Sequence, residues 1–339
     1  DSSTSRGLGD VYKRQLIPLL IAAPLLVPES RDPNPGRIDI VSIVLSMAAM
    51  IPVVYAIKSL AVDGPSLTAG AWALLGVAMG YLFVRRQLTA EVPMLDMGLF
   101  RRGSFSGAIL VNLLSVVALV GFLYFVSQHL QLVLGLSPMM AGAALVPGML
   151  AMIVAGLSVV PISRRVPPHI LVPVGLVFSV AGYLLVAFTT SDHGIAPLVI
   201  AFVVLGIGIG GAETISNELI LSSAPAEKAG AASAVSETAY ELGAVLGTAV
   251  LGGLITAFYR GALVVPVDIP AEAAHAATET LAGAYTAAQE LPAQLGDALW
   301  DAASAAFGSG VMVTSLIGAG LVVLAGVIAA VTLRKAPAH

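Results

Sequence analysis

The 339-residue chain is 58% hydrophobic and only 11% charged, against about 25% charged in soluble globular domains. That balance reads as a polytopic membrane protein. Zero cysteines exclude disulfides, thiolate metal sites, iron–sulfur clusters and a cysteine nucleophile. The histidines are scattered without metal-ligand spacing, so neither a metal nor a redox cofactor is expected.

The first fifteen residues, DSSTSRGLGDVYKRQ, are polar and basic, and they stop against the 13-residue apolar run LIPLLIAAPLLVP. The run is too short to cross a hydrocarbon core, which takes about 20 helical residues. No small-residue cleavage site follows it, which argues against a signal peptide. DVYKRQ resembles the translation of a transposon end used in preparing sequencing libraries. Residues 1–15 are therefore expected to be a non-native sequencing scar, and 16–28 the surviving end of a truncated transmembrane helix.

Further along, uncharged runs long enough to span occur at 40–57, 67–84, 105–126, 138–162, 170–189, 196–221, 231–258 and 308–333, with Glu213, Glu218, Glu237 and Glu241 set aside. The period-2 alternation of a membrane barrel is absent, so the spans are expected to be helices. Lysines and arginines divide unevenly between alternate loops. One set holds Arg31, Arg37, Arg85, Arg86, Arg101, Arg102, Arg164, Arg165, Lys228, Arg334 and Lys335, and the other only Lys58 and Arg260. The first set is expected to be cytoplasmic, which places the C-terminus inside and the acidic segment 259–306 outside. That segment is alanine-rich, with Pro292 as a break, and two short amphipathic helices are expected in it near the outer surface.

The chemistry-bearing residues lie inside the spans. A carboxylate at the centre of a bilayer costs on the order of 2.5–3.5 kcal/mol on insertion scales, so it usually faces a cavity and carries a function. Glu237 and Glu241 sit about 9 and 15 Å into their helix at 1.5 Å per residue. Their i, i+4 spacing sets both on one face. Such carboxyls can bind and release a proton, or pair with an organic cation, and competition between the two is the simplest coupling for an antiporter. Tyr240 turns about 100° from each of its chain neighbours and is expected to pack. Gly243 and Gly247 form a small-xxx-small pair that admits another backbone. In the preceding span Glu213 and Asn217 stand at i, i+4 as candidate cavity-lining groups. Asn112, Tyr124, Gln128 and Gln131 are further lining candidates, the last three on one helical face. The arginine doublets 101–102 and 164–165 read as interfacial anchors.

Several stretches together resemble one family: PMLDMGLFRRGSFS (93–106), SQHLQLVLGLSPMMAGAALVPGML (127–150), SSAPAEKAGAASAVSETAYELGAVLGTAVLGG (222–253), and the alanine-rich loop before FGSGVMV. They are similar to the EmrB/QacA-type drug:proton antiporters, the 14-helix branch of the major facilitator superfamily, and the resemblance covers 16–339. It implies that 16–28 is the tail of helix 6, that 29–92 holds a cytoplasmic loop and the linker helices 7 and 8, and that 93–339 is the C-terminal six-helix half. Helix 13 is then the span carrying Glu237 and Glu241, where acidic residues in such proteins are associated with cation recognition or proton coupling. Glu241 stands in YELG, where relatives often read YDLG. The loop SRRVPPH lacks the acid of the usual facilitator signature.

The expected function is proton-coupled efflux of amphipathic, cationic compounds across the bacterial cytoplasmic membrane. The proton motive force drives it in place of a cofactor. Expected partners are a small-molecule substrate, protons, the lipid bilayer and a missing N-terminal half of the same protein, with no nucleic acid. A membrane-embedded transferase would need a His/Asp/Ser constellation that the scattered histidines do not supply. Two alternatives stay open: a narrow exporter of an antibiotic, siderophore or metabolite, and a non-transporting sensor or scaffold.

Overall fold

A computed structural model describes residues 39–335 apart from 65, 92, 190–193 and 226–227, together with residues 18 and 20. The expected scar at 1–15 lies outside the described residues, as does nearly all of the truncated helix at 16–28. Among the described residues there is no strand, and eight helical stretches are long and apolar enough to cross a membrane.

The first two spans, α1 (Ile40–Asp63) and α2 (Leu67–Thr89), form a hairpin. Gly64 turns the chain between them at φ +75°, and Ser66 caps α2 by accepting from the Ala69 amide. The arginine-bearing end of the hairpin is clamped by Asp39, whose two carboxylate oxygens accept from Arg86 Nε and Nη2 at 2.9 Å each. Ser42 accepts from Gln87 Nε2 at 2.7 Å, and Gln87 Oε1 accepts from the Leu95 amide at 3.0 Å. This network ties the hairpin to the connection that leads into the next span. Tyr55 and Trp72 meet edge to face across the hairpin, with ring centroids 5.3 Å apart.

The remaining spans make one bundle. They are α3 (Gly103–Gln128), α4 (Pro138–Ser163), α5 (Pro168–Thr189), α6 (Ile195–Ser222), the pair α7 (Ala229–Leu246) and α8 (Gly252–Ala262), and the long α11 (Ala293–Thr332). Ser137 caps α4 in front of Pro138, a pairing suited to a helix start. Pro52, Pro147, Pro161 and Pro173 lie inside helices, which neighbouring spans make tolerable in a membrane. α3 is the most buried span, packed against α6, α7 and α11. The outward faces of α1, α2, α4 and α5 are covered by exposed Leu, Val, Ile and Met, as a lipid solvent requires.

Lipid tails are as apolar as leucine, so the helices must associate by fit, and glycines set that fit. α6 is wedged between α4 and α5. A Cβ on Gly210 would stand 2.2 Å from the Met152 carbonyl oxygen, one on Gly206 2.7 Å from that of Gly148, and one on Gly208 2.4 Å from that of Gly175. Gly243 and Gly247 bring α7 against α3 in the same way, at 2.9 Å from the Leu113 carbonyl and 2.7 Å from that of Val117. At the centre, Tyr183 of α5 donates to the Ala118 carbonyl of α3, while its ring lies where a side chain on Gly318 of α11 would go. Phe122 stacks on Phe202 and meets Tyr183 edge to face. One aromatic node thus joins α3, α5, α6 and α11.

Two features depart from the expectations. The helix containing Gln131 changes pitch, because His129–Val133 forms a π turn. Two helices do lie in 259–306, α9 (Ala271–Glu279) and α10 (Leu281–Glu290), but the break between them is at Thr280. Pro292 instead begins α11, which runs unbroken for 40 residues, about 60 Å. The last span therefore starts at Ala293, where 308 was expected. Leu299, Ala303, Ala306 and Phe307 are buried, so packing continues the helix through the apparent loop.

Two outcomes test this packing. Gly210→Ala should destabilise the bundle by about 1–3 kcal/mol, since backbone must move, whereas Gly320→Ala, which meets open space, should leave the detergent-solubilised Tm unchanged. The Arg86 guanidinium holds the Asp39 carboxyl well below its ordinary value of 3.8. The clamp therefore contributes fully above that value and is withdrawn as pH falls well below it. Acid titration followed by Trp72 fluorescence in a Trp300→Phe background should show this transition, and Asp39→Asn should abolish it.

Candidate functional site

The polar side chains inside the bundle gather where α3, α6 and α7 meet. Asn112, Glu213, Thr214, Asn217, Ser236, Glu237 and Tyr240 line a cavity of about 350 Å³. Asn112 Nδ2 donates to Ser236 Oγ at 3.3 Å, and Ser236 Oγ donates to Asn217 Oδ1 at 2.9 Å. This chain links all three helices. Asn112 and Ser236 are buried, so the bonds are made in a low-dielectric setting, where an orphaned polar group is costly.

Glu213 stands one turn from Asn217 on the same face of α6. One of its carboxyl oxygens is buried and accepts no hydrogen bond, while the Thr214 hydroxyl is committed to the Gly210 carbonyl at 2.8 Å. Glu237 and Tyr240 form the open side of the cavity. No lysine or arginine lines it. The site therefore offers two carboxyls, two carboxamides and a phenol with no cation to neutralise them. It can accept a proton or a positively charged group.

The structure brings four of the sequence candidates together here: Asn112, Glu213, Asn217 and Glu237. Glu241 is exposed, one turn further along α7, and is not among the residues lining this cavity. Tyr240, expected to pack, faces the cavity with Glu237. The reason is helical geometry: i and i+3 share a face, while the 100° separation applies to its immediate neighbours. Ser236 and Thr214 were not singled out. Ser236 could have been found as the small polar residue on the side of α7 that carries Ala232, Ala239 and Gly243, since all four are buried.

The lining candidates of α3 divide. Tyr124 and Gln128 border a small space of about 50 Å³ with Tyr259, Thr280 and Phe307. Gln131 does not join them. It lies in the π turn and donates back to Ser127 Oγ at 2.9 Å, because the change of pitch breaks the shared face. A second π turn, Gly247–Leu251, separates α7 from α8. Among the described residues no group of three or more histidines or carboxylates could hold a metal ion.

Residues 17–248 match the family model of the Major Facilitator Superfamily. The chain belongs to this superfamily. Within the facilitators it is 49% identical over 320 residues to the multidrug efflux pump LfrA of Mycolicibacterium smegmatis, covering 94% of this chain and 64% of that protein. It is 30% identical over 282 residues to the methyl viologen resistance protein SmvA of Salmonella typhimurium, covering 83% and 57%. It is 29% identical over 332 residues to the tetracenomycin C resistance and export protein of Streptomyces glaucescens, covering 94% and 61%. The chain thus spans less than two thirds of the length of each of these curated relatives. As a facilitator with eight helices long enough to span among the described residues, it is a multi-pass membrane protein.

Ser236→Ala should leave the Asn112 amide and the Asn217 carbonyl oxygen without their bridge, lowering stability by about 1–3 kcal/mol. Adding Asn112→Leu should recover part of that loss, because the buried donor is gone. Thermal unfolding of the two variants in detergent measures both steps.

Proposed function

We propose that this chain is the C-terminal part of a 14-helix facilitator that exports amphipathic, cationic compounds in exchange for protons. The observation that carries the reading is the cavity of Glu213 and Glu237, an acidic pocket without a basic partner inside an apolar bundle. Ionisable groups at membrane depth mark substrate or proton paths, and facilitator substrates bind near the midplane between two halves that rock in alternation. An organic cation bound at the Glu213–Glu237 pair is displaced when the carboxyls take up protons, so one site serves both ions. The names of the relatives support the class. One is a multidrug efflux pump, and another confers resistance to methyl viologen, an organic dication.

In this reading α1 and α2 are the linker helices 7 and 8, and α3 to α11 supply the six spans of the C-terminal half. The N-terminal half forms the other wall of the cavity, and the proton motive force supplies the energy. The uneven distribution of basic residues supports a cytoplasmic-membrane protein with its C-terminus inside. Glu241, one turn from Glu237 on an open face, is a second contact for the cation as it moves. The name of the tetracenomycin C exporter favours a second reading, a narrow exporter of one antibiotic.

The test is ethidium efflux from everted vesicles carrying the full-length protein, with and without a pH gradient. Glu213→Gln and Glu237→Gln should each lower gradient-driven efflux about tenfold or more, the equivalent of one lost charged contact, and Glu241→Gln by less. Unchanged efflux in all three would refute the carboxyl site. Residues 16–339 alone should not transport, and robust proton-coupled efflux by that segment would overturn the half-transporter reading.

A further inference from the structure

The two basic residues of the arginine-poor end are not scattered. Lys58 of α1 and Arg260 of α8 both line one cavity of about 1050 Å³, which is walled further by Leu60 and Gly64 at the end of the first hairpin helix, Tyr124 of α3, Thr280, and the continuous stretch of α7, the π turn and α8 from Ala244 to Arg260. Each cation is two residues from the end of its span, Ile40–Leu60 or Ala229–Ala262, which sets both at headgroup depth. Below them the furrow follows about 24 Å of helix at 1.5 Å per residue. Its floor is small and apolar, with Ala249, Gly253 and Ala257 leaving the space open. The hydroxyls of Thr248 and Thr256 donate to their own helix, to the carbonyls of Ala244 and Gly252. Along α7 and α8 the furrow thus offers hydrocarbon and methyl groups, with the hydroxyls of Tyr124 and Thr280 as its remaining polar lining.

The charges at its mouth are available. Lys58 makes no hydrogen bond or ion pair with the described residues, and Arg260 spends only Nε, donating to the Glu279 carbonyl at 3.2 Å. None of the carboxylates of 259–306 lines the cavity. A cationic cargo would be repelled here, and a polyhydroxylated solute would find only the Tyr124 and Thr280 hydroxyls in a furrow otherwise walled by alanine, glycine and methyl groups. An anionic headgroup with an acyl chain satisfies both ends: phosphate oxygens on Lys58 and Arg260, hydrocarbon along α7 and α8. We propose that this cavity is a binding site for an anionic phospholipid drawn from the leaflet at the arginine-poor end of the protein.

The experiment measures lipid retained by the purified chain, using native mass spectrometry from mixed micelles of detergent with phosphatidylglycerol or with phosphatidylcholine of the same acyl chains. Wild type should retain the anionic lipid preferentially. Lys58→Gln should weaken that preference roughly fivefold, the effect of one juxtamembrane charge, and Lys58→Gln with Arg260→Gln should abolish it. The matched charge loss Arg164→Gln with Arg165→Gln, at the opposite end, should leave it intact. Ala257→Trp, which keeps both cations but fills the furrow, should reduce retention. Equal retention of the two lipids by wild type, or a preference that survives in the double variant at 58 and 260, would overturn the proposal. Displacement of the lipid by inorganic phosphate alone would also overturn it, in favour of a soluble anion site.

Discussion

The centre of this bundle depends on how closely α6 approaches α4 and α5. In a bilayer the usual gain from removing apolar surface from water is absent between helices, since their alternative neighbour is lipid. What remains is dispersion between well-fitted surfaces, and that falls off within an ångström of separation. Gly206, Gly208 and Gly210 let the α6 backbone come within contact of carbonyl oxygens on both sides. Tyr183 and Phe122 then fill the space where α3 and α11 cross. Leucine or valine at the three glycines would hold the helices apart and open the centre of the bundle.

The same fit decides where polar atoms can be placed. With α4, α5 and α11 packed by small and aromatic residues, the α3–α6–α7 junction is left to hold Asn112, Asn217, Ser236 and the two glutamates. Its internal hydrogen bonds bridge the two carboxamides through the serine, while a Glu213 oxygen is left without a partner. This imbalance separates the junction from a closed structural network, since it retains a buried carboxyl oxygen with no hydrogen-bond partner.

Charge is sorted along the molecule as well. Arg86 and Arg102 are engaged in tying segments together at one end, on Asp39 and on the Ser223 carbonyl. At the other end Lys58 and Arg260 border open space. The acidic cavity and the basic furrow therefore suit opposite ligands, and their separation along α7 and α8 lets one helix serve both without the charges cancelling.

Hydropathy alone located eight spans, and the approximate limits of all but the last, because a hydrocarbon solvent forces backbone groups to pair within a helix and sets a minimum length for crossing. The i, i+4 pairs Glu213–Asn217 and Glu237–Glu241 were legible for the same reason, since spacing along one helix is a local property. What spacing could not supply was which carboxyls meet. Glu213 and Glu237 are 24 positions apart, and only the approach of α6 to α7 across α3 puts them on one cavity while Glu241, nearer in sequence, stays outside it. The π turn that removes Gln131 from the face of Gln128, and the packing of Leu299 and Phe307 that carries the last helix back to Ala293, were likewise invisible to a reading of fixed helical period. The sequence by itself determined the solvent, the spans and the inventory of ionisable groups, all of which follow from local composition. The tertiary structure decided which of those groups share a cavity, because that depends on contacts between residues far apart in the chain.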